Sequence, residues 1–168
     1  RMANETVYLA GGCYWGFEDL LSKIPGVIET AVGFSGGHVK NVSYREVSSG
    51  TTGHAETVKV IFNSDILSFT DLLTFFFKMH NPTTLNQQGN DIGTQYRSAI
   101  FATTDEQILL AEELIKKIDS LGVLTKKITT EVNTFNTFFL AEDNHQKYLE
   151  KYPDGYTCHF IRDINLSV

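Results

Sequence analysis

Thr6-Val7-Tyr8-Leu9-Ala10-Gly11-Gly12-Cys13-Tyr14-Trp15-Gly16 passes from one backbone period to another. Residues 6–10 form a short run of β-favouring side chains, stopped by two glycines. Apolar residues then recur at Trp15, Phe17, Leu20, Leu21 and Ile24, the spacing of one helical face, until Pro25-Gly26 ends the pattern. Cys13 therefore stands at a strand-to-helix corner. Glycines there permit a tight turn and the close approach of another molecule. The first N–H groups of a helix have no intrahelical partner and together carry roughly half a positive charge. A thiolate at that position is predicted to be stabilised, with a pKa below the free value of about 8.5, and the thiolate is the nucleophilic form. The competing reading of Cys13 is a small buried hydrophobe packed under the sheet. Its company favours reactivity, since Tyr14 and Trp15, the one tryptophan of the chain, can wall an apolar pocket.

Working outward, residues 27–34 read as a strand closed by Ser35-Gly36-Gly37, and residues 38–52 as a polar, glycine-punctuated loop. Residues 55–62 alternate, with Val58, Val60 and Phe62 on one face and Thr57, Lys59 and Ile61 on the other. Ser68 is a helix cap ahead of the apolar run Leu72 to Met79, which Asn81-Pro82 stops. Residues 83–94 carry no period and read as a long, functional loop. A strand is expected over 96–103, an amphipathic helix over 105–121, β-rich chain over 128–139 and a last helix over 141–151. The order β-α-β-β-α-β-α-β-α predicts an α+β fold: a two-layer sandwich with a mostly antiparallel mixed sheet and a split βαβ, ferredoxin-like core. The 168 residues suit one domain, 1–168, with a tail at 155–168 that carries the second cysteine.

Composition narrows the function. Fourteen basic against 20 acidic side chains give a formal charge of −6, which argues against a nucleic-acid partner. No apolar run is long enough to span a membrane, and residues 1–5 are too few and too polar for a signal peptide. Arg1 ahead of Met2 reads either as a remnant of preparation or as the cut end of a longer chain. A cytoplasmic home is expected. The two cysteines, Cys13 and Cys158, do not make a disulfide scaffold, and the five histidines show no zinc-ligand pairing, so no metal is expected. His54-Ala55-Glu56 opens like a zinc deaminase signature, but the Pro-Cys-x-x-Cys that must follow is absent. Glu56 shares the face of Val58 and Val60. It is either buried, with a raised pKa and a proton near neutral pH, or a solvated strand-end carboxylate. Asp91, Tyr96 and Tyr44 are each either ligand-orienting groups or ordinary turn and strand residues.

At these residues the chain resembles the peptide methionine sulfoxide reductase A family over nearly its whole length. The matching segments are GGCYWGFE at 11–18, GFSGG at 33–37, the Tyr44 segment, GTTGHAETVKV at 50–60, NPTTLNQQGNDIGTQYRSAI at 81–100 and AEDNHQKYL at 141–149. The resemblance implies reduction of methionine sulfoxide of the S configuration, free or in proteins. It implies Cys13 as nucleophile, Glu56 as the acid on the sulfoxide oxygen, and Tyr44 and Tyr96 as supporting hydroxyls. Trp15 and the neighbouring Tyr14 would form the methyl pocket, and Asp91 would serve the substrate's backbone amide. Attack would leave Cys13 as a sulfenic acid. Cys158 would then condense with it, or remain a structural thiol while an external thiol does so. No cofactor is implied beyond an external dithiol such as thioredoxin. Tyr14, Phe34, Asn81 and Asn144 depart from the residues common in the family.

Overall fold

A computed structural model describes residues 3–166. The elements are β1 (Asn4–Gly11), α1 (Tyr14–Ser22), β2 (Val27–Ser35), α2 (Tyr44–Ser48), β3 (Ala55–Asn63), α3 (Phe69–Met79), β4 (Gln87–Gln88), β5 (Asp91–Ile92), β6 (Ser98–Ala102), α4 (Asp105–Leu121), β7 (Glu131–Thr134), β8 (Phe138–Leu140) and α5 (Tyr148–Lys151), with single 3-10 turns at Thr94–Tyr96 and Asp143–His145. Side-chain caps define the starts of the two longest helices. Ser68 accepts from the Asp71 N–H ahead of α3, and Thr104 from the Gln107 N–H ahead of α4.

Six strands form one sheet in the order β7-β6-β1-β3-β2-β8. β6 and β7 pair parallel and the other neighbours antiparallel. The inner four, β6-β1-β3-β2, with α1 and α3 as crossovers, make the expected split βαβ core. One face carries Val7, Leu9, Val32, Phe34, Val58, Val60 and Ile100 against Phe17 and Leu21 of α1, Phe76 and Phe77 of α3, and Leu114 and Ile118 of α4. Burial of each such side chain contributes about 1.5–3 kcal/mol. The other face is thinner: Tyr8, Ala10, Ala99 and Phe101 under Phe135 and Phe138, with Tyr8 and Phe135 stacked at 3.9 Å.

Four local expectations change. The 128–139 stretch is two strands on opposite edges of the sheet, and the bend between them drops Phe135 onto Tyr8. The 38–52 loop contains α2, closed by a reciprocal Ser43–Glu46 capping box. The 83–94 loop contains the two-residue pair β4–β5, and Tyr96 ends a 3-10 turn rather than starting a strand. The last helix is broken in two. Gln146 spends its side-chain amide on both the N–H (2.8 Å) and the C=O (2.9 Å) of Val32, and Lys147 then takes a left-handed φ of 53°. The Lys147 N–H donates to Glu18 Oε1 at 2.8 Å, outside any helix ladder.

Candidate active site

β1 ends at Gly11 and α1 begins at Tyr14, so Cys13 caps the helix at the expected corner, 8% exposed. Gly12 has φ +100°, and a Cβ on it would lie 2.8 Å from Gln88 Cβ and Cγ. The turn therefore requires glycine on two counts. Gln88 is pinned in its own place by a two-way amide pairing with the backbone of Asn81, at 2.9 Å each way.

Glu56 enters from β3 and is 1% exposed, which resolves its two readings in favour of burial. Its Oε1 accepts the backbone N–H of Tyr14 at 3.0 Å. Burial pushes its pKa up to about 8, with a smaller push from Asp91, against the opposing Tyr14 N–H. At neutral pH the carboxyl keeps its proton.

The thiol expectation is corrected. Burial, then the charge of Glu56, raises the Cys13 pKa above the ordinary thiol value, although the Trp15 N–H pulls the other way. The helix start is present, but desolvation of the sulfur outweighs it. The resting sulfur is a thiol.

Tyr44 at the start of α2 packs its ring near Tyr14 and Trp15, and Tyr96 in the 3-10 turn lies within reach of the same charged groups. Burial raises both hydroxyls, and the charges of Glu56, Asp91 and Cys13 add to each. Asp91 on β5 is raised by burial and accepts the Tyr156 hydroxyl at 3.2 Å. Cys158 Sγ lies 4.0 Å from the same carboxylate, and both cysteines are free thiols. All eight sequence-selected residues are thus gathered around one corner: an acid, hydroxyls and aromatics around a thiol.

The chain matches the sequence pattern of the family described as Peptide methionine sulfoxide reductase over residues 5–167. It belongs to that family. Among its relatives, peptide methionine sulfoxide reductase MsrA 1 of Mesorhizobium japonicum is 51% identical over 160 residues, 95% of this chain and 91% of that protein. The fold matches methionine sulfoxide reductase A of Corynebacterium diphtheriae at a TM-score of 0.83 and 38% identity, covering 98% of this chain and 82% of that one. It matches reduced Mxr1 of Saccharomyces cerevisiae at 0.85 and 36%, covering 96% and 93%. Mxr1 has also been solved in complex with Trx2.

In this reductase the aromatic wall is larger than Tyr14 and Trp15. The Trp15 indole stacks on Tyr148 at 3.9 Å and 10°, and Trp15 Nε1–H donates to His145 Nδ1 at 3.0 Å. An indole N–H only donates, so His145 Nδ1 carries its lone pair and the ring is neutral. Burial lowers the His145 pKa, in keeping with that state. The Tyr14 hydroxyl reaches the same nitrogen at 3.2 Å, and the Tyr44 ring lies 4.4 Å from the imidazole. Beneath them Glu18, 2% exposed, accepts from Thr30 Oγ1, Lys147 N and Lys147 Nζ, and so ties α1 to the segment that carries His145. Residue-by-residue reading passed over His145, Tyr148 and Glu18. The signal that could have found the first two is the aromatic and histidine three residues apart in AEDNHQKYL. Among the described residues, no group of three or more His, Cys, Asp or Glu side chains could hold a metal, and no helix is long and apolar enough to cross a membrane.

Proposed function

We propose that the protein reduces methionine-S-sulfoxide, free or within proteins, to methionine through a sulfenic acid on Cys13. The observation that carries the reading is the Glu56 carboxyl, buried beside the thiol and oriented by the Tyr14 N–H, where burial raises its pKa to about 8 and so favours the protonated form.

A sulfoxide oxygen is a strong acceptor, and a proton on it makes the sulfur electrophilic. Neutral Glu56 supplies that proton, and the Tyr44 and Tyr96 hydroxyls donate to the same oxygen as charge builds on it. The Cys13 sulfur attacks as its proton departs, and the oxygen passes to it. The products are Cys13–SOH and the thioether, with no external electrons. Trp15 and Tyr14 hold the S-methyl group in an apolar slot, and Asp91 accepts from the substrate's backbone amide. Fixing oxygen on one side and methyl on the other leaves one epimer with its sulfur facing Cys13, and the family resemblance assigns it as S.

Cys158 then attacks the sulfenic sulfur. An S–S bond forms, the S–O bond breaks and water leaves. A thioredoxin-like dithiol reopens the disulfide, a partner supported by the Mxr1–Trx2 complex. Residues 1–168 act as one reductase domain, with the 155–168 tail as its regenerating arm, in the cytoplasm and without metal, flavin or nicotinamide. The test is turnover of the separated sulfoxide epimers with dithiothreitol. Reduction of the S epimer alone, abolished in Cys13→Ser, is expected. Turnover of the R epimer, or activity in Cys13→Ser, contradicts the reading.

A further inference from the structure

Among the described residues the tail holds no helix or strand beyond α5, yet it is fastened tightly at one place. His159 is 8% exposed, and its Nε2–H donates to the carbonyl of Gly11 at 2.7 Å. Its ring packs on Phe17 with centroids 5.3 Å apart. Three residues later the Arg162 N–H donates to the Lys78 carbonyl at 2.8 Å. Gly16 provides the seat: a Cβ there would stand 2.1 Å from Thr157 Oγ1 and 2.8 Å from His159 Nδ1. The last residue of the Gly11–Gly16 motif thus serves the tail rather than the thiol.

The anchor joins the two sulfur-bearing segments. Gly11 lies two residues before Cys13, and His159 directly follows Cys158. Because Nε2 donates to Gly11, Nδ1 is left as the acceptor, and it faces the Cys158 Sγ at 4.0 Å.

We propose that His159 is a positioning residue for the resolving step: its hydrogen bond to Gly11 holds Cys158 beside Cys13, so that the sulfenic acid is intercepted within the molecule. This rests on the reading of Cys158 as the resolving thiol. In the step served, the Cys158 sulfur bonds to the Cys13 sulfur, the S–O bond breaks, and the oxygen leaves as water with the Cys158 proton. Loss of the anchor leaves both reacting groups intact and lowers only the effective concentration of one at the other.

The test follows one equivalent of methionine-S-sulfoxide without reductant, timing methionine release and disulfide closure separately. His159→Leu, with no donor, is expected to release methionine at the wild-type rate and to close the disulfide about tenfold or more slowly. His159→Gln, whose amide can donate to Gly11, is expected to recover most of that rate. Equal closure rates in the three proteins overturn the proposal. So does equal slowing of both phases in His159→Leu without rescue by His159→Gln, which is the behaviour of a merely structural histidine. If His159→Leu does not fold, Gly16→Ala, which displaces Thr157 and the ring, supplies the same comparison. A wild-type protein that stops at one sulfenic acid and one free thiol instead refutes the resolving role of Cys158, a result distinct from failure of the anchor.

Discussion

The Tyr14 backbone N–H, one residue past the thiol, donates to Glu56 Oε1 at 3.0 Å across 42 residues of sequence. This bond joins the start of α1 to the middle of the sheet. It fixes the acid and the nucleophile relative to each other through backbone rather than through a mobile side chain. It also leaves the second carboxyl oxygen free to carry the proton.

One consequence is a basic limb in the rate. Glu56 is protonated below about pH 8 and loses its proton above it. The rate of methionine formation in single turnovers is expected to fall as pH rises through 8. Glu56→Gln keeps an acceptor for Tyr14 but has no acidic proton. It should lower the rate by about 10²–10³-fold and flatten that limb. An unchanged limb in Glu56→Gln contradicts the assignment.

The same carboxyl bears on stability. Its pKa is raised from 4.5 in the free group to about 8 when folded, so the folded state binds the extra proton between those values. Its contribution is fully present below pH 4.5 and is lost as pH climbs to 8. Thermal melts should therefore show Glu56→Gln gaining on the wild type across that window, with no further gain above it. A constant difference from pH 5 to 8 contradicts the burial argument.

Trp15 is the one tryptophan, so its fluorescence reports its bond to His145. Protonation of His145 would set two donors against each other. Its pKa is lowered from 6.5, so an acid transition in emission is expected below pH 6.5 and should be absent in His145→Phe. That variant leaves the indole N–H unpaired, at a cost of about 1–3 kcal/mol. If the wall loosens by that amount, kcat/KM falls roughly 5- to 150-fold, chiefly through KM. A transition centred above pH 6.5, or one that persists in His145→Phe, refutes the assignment.

Glu18 is 2% exposed, while the Lys147 side chain is 39% exposed. Removing the carboxylate in Glu18→Ala strips Thr30 Oγ1 and the Lys147 N–H of their acceptor. The ammonium of Lys147 retains contact with water, so the loss should fall near 1.5–3 kcal/mol, the range for hydrogen bonds to charged groups. Denaturant unfolding checks the magnitude. A change below about 0.5 kcal/mol, the level of an ordinary surface substitution, contradicts the buried network.

Much of the site was legible because its signals are local. Alternation over 55–62 placed Glu56 on the face of Val58 and Val60, and the change of period at Gly11-Gly12 placed Cys13 at a helix start. The thiol's pKa was not legible, because the helix N-terminus is a property of neighbours in sequence whereas desolvation depends on the whole fold around the sulfur. The broken helix at 141–151 escaped for a related reason. Helical spacing is present, but Gln146 and Lys147 find partners on Val32 and Glu18 that spacing does not encode. His145 looked like an isolated histidine until Trp15, 130 residues away, supplied its donor.

Oxygen transfer to Cys13 is isolated in Cys158→Ser, where the second thiol cannot obscure it. One equivalent of methionine-S-sulfoxide is added without reductant, and the intact protein mass and released methionine are measured together. One equivalent of methionine and one added oxygen, located on Cys13 and captured by a sulfenic-acid trap, are expected of that transfer. Methionine released with no added oxygen on Cys13, or no methionine at all from folded protein, would contradict it.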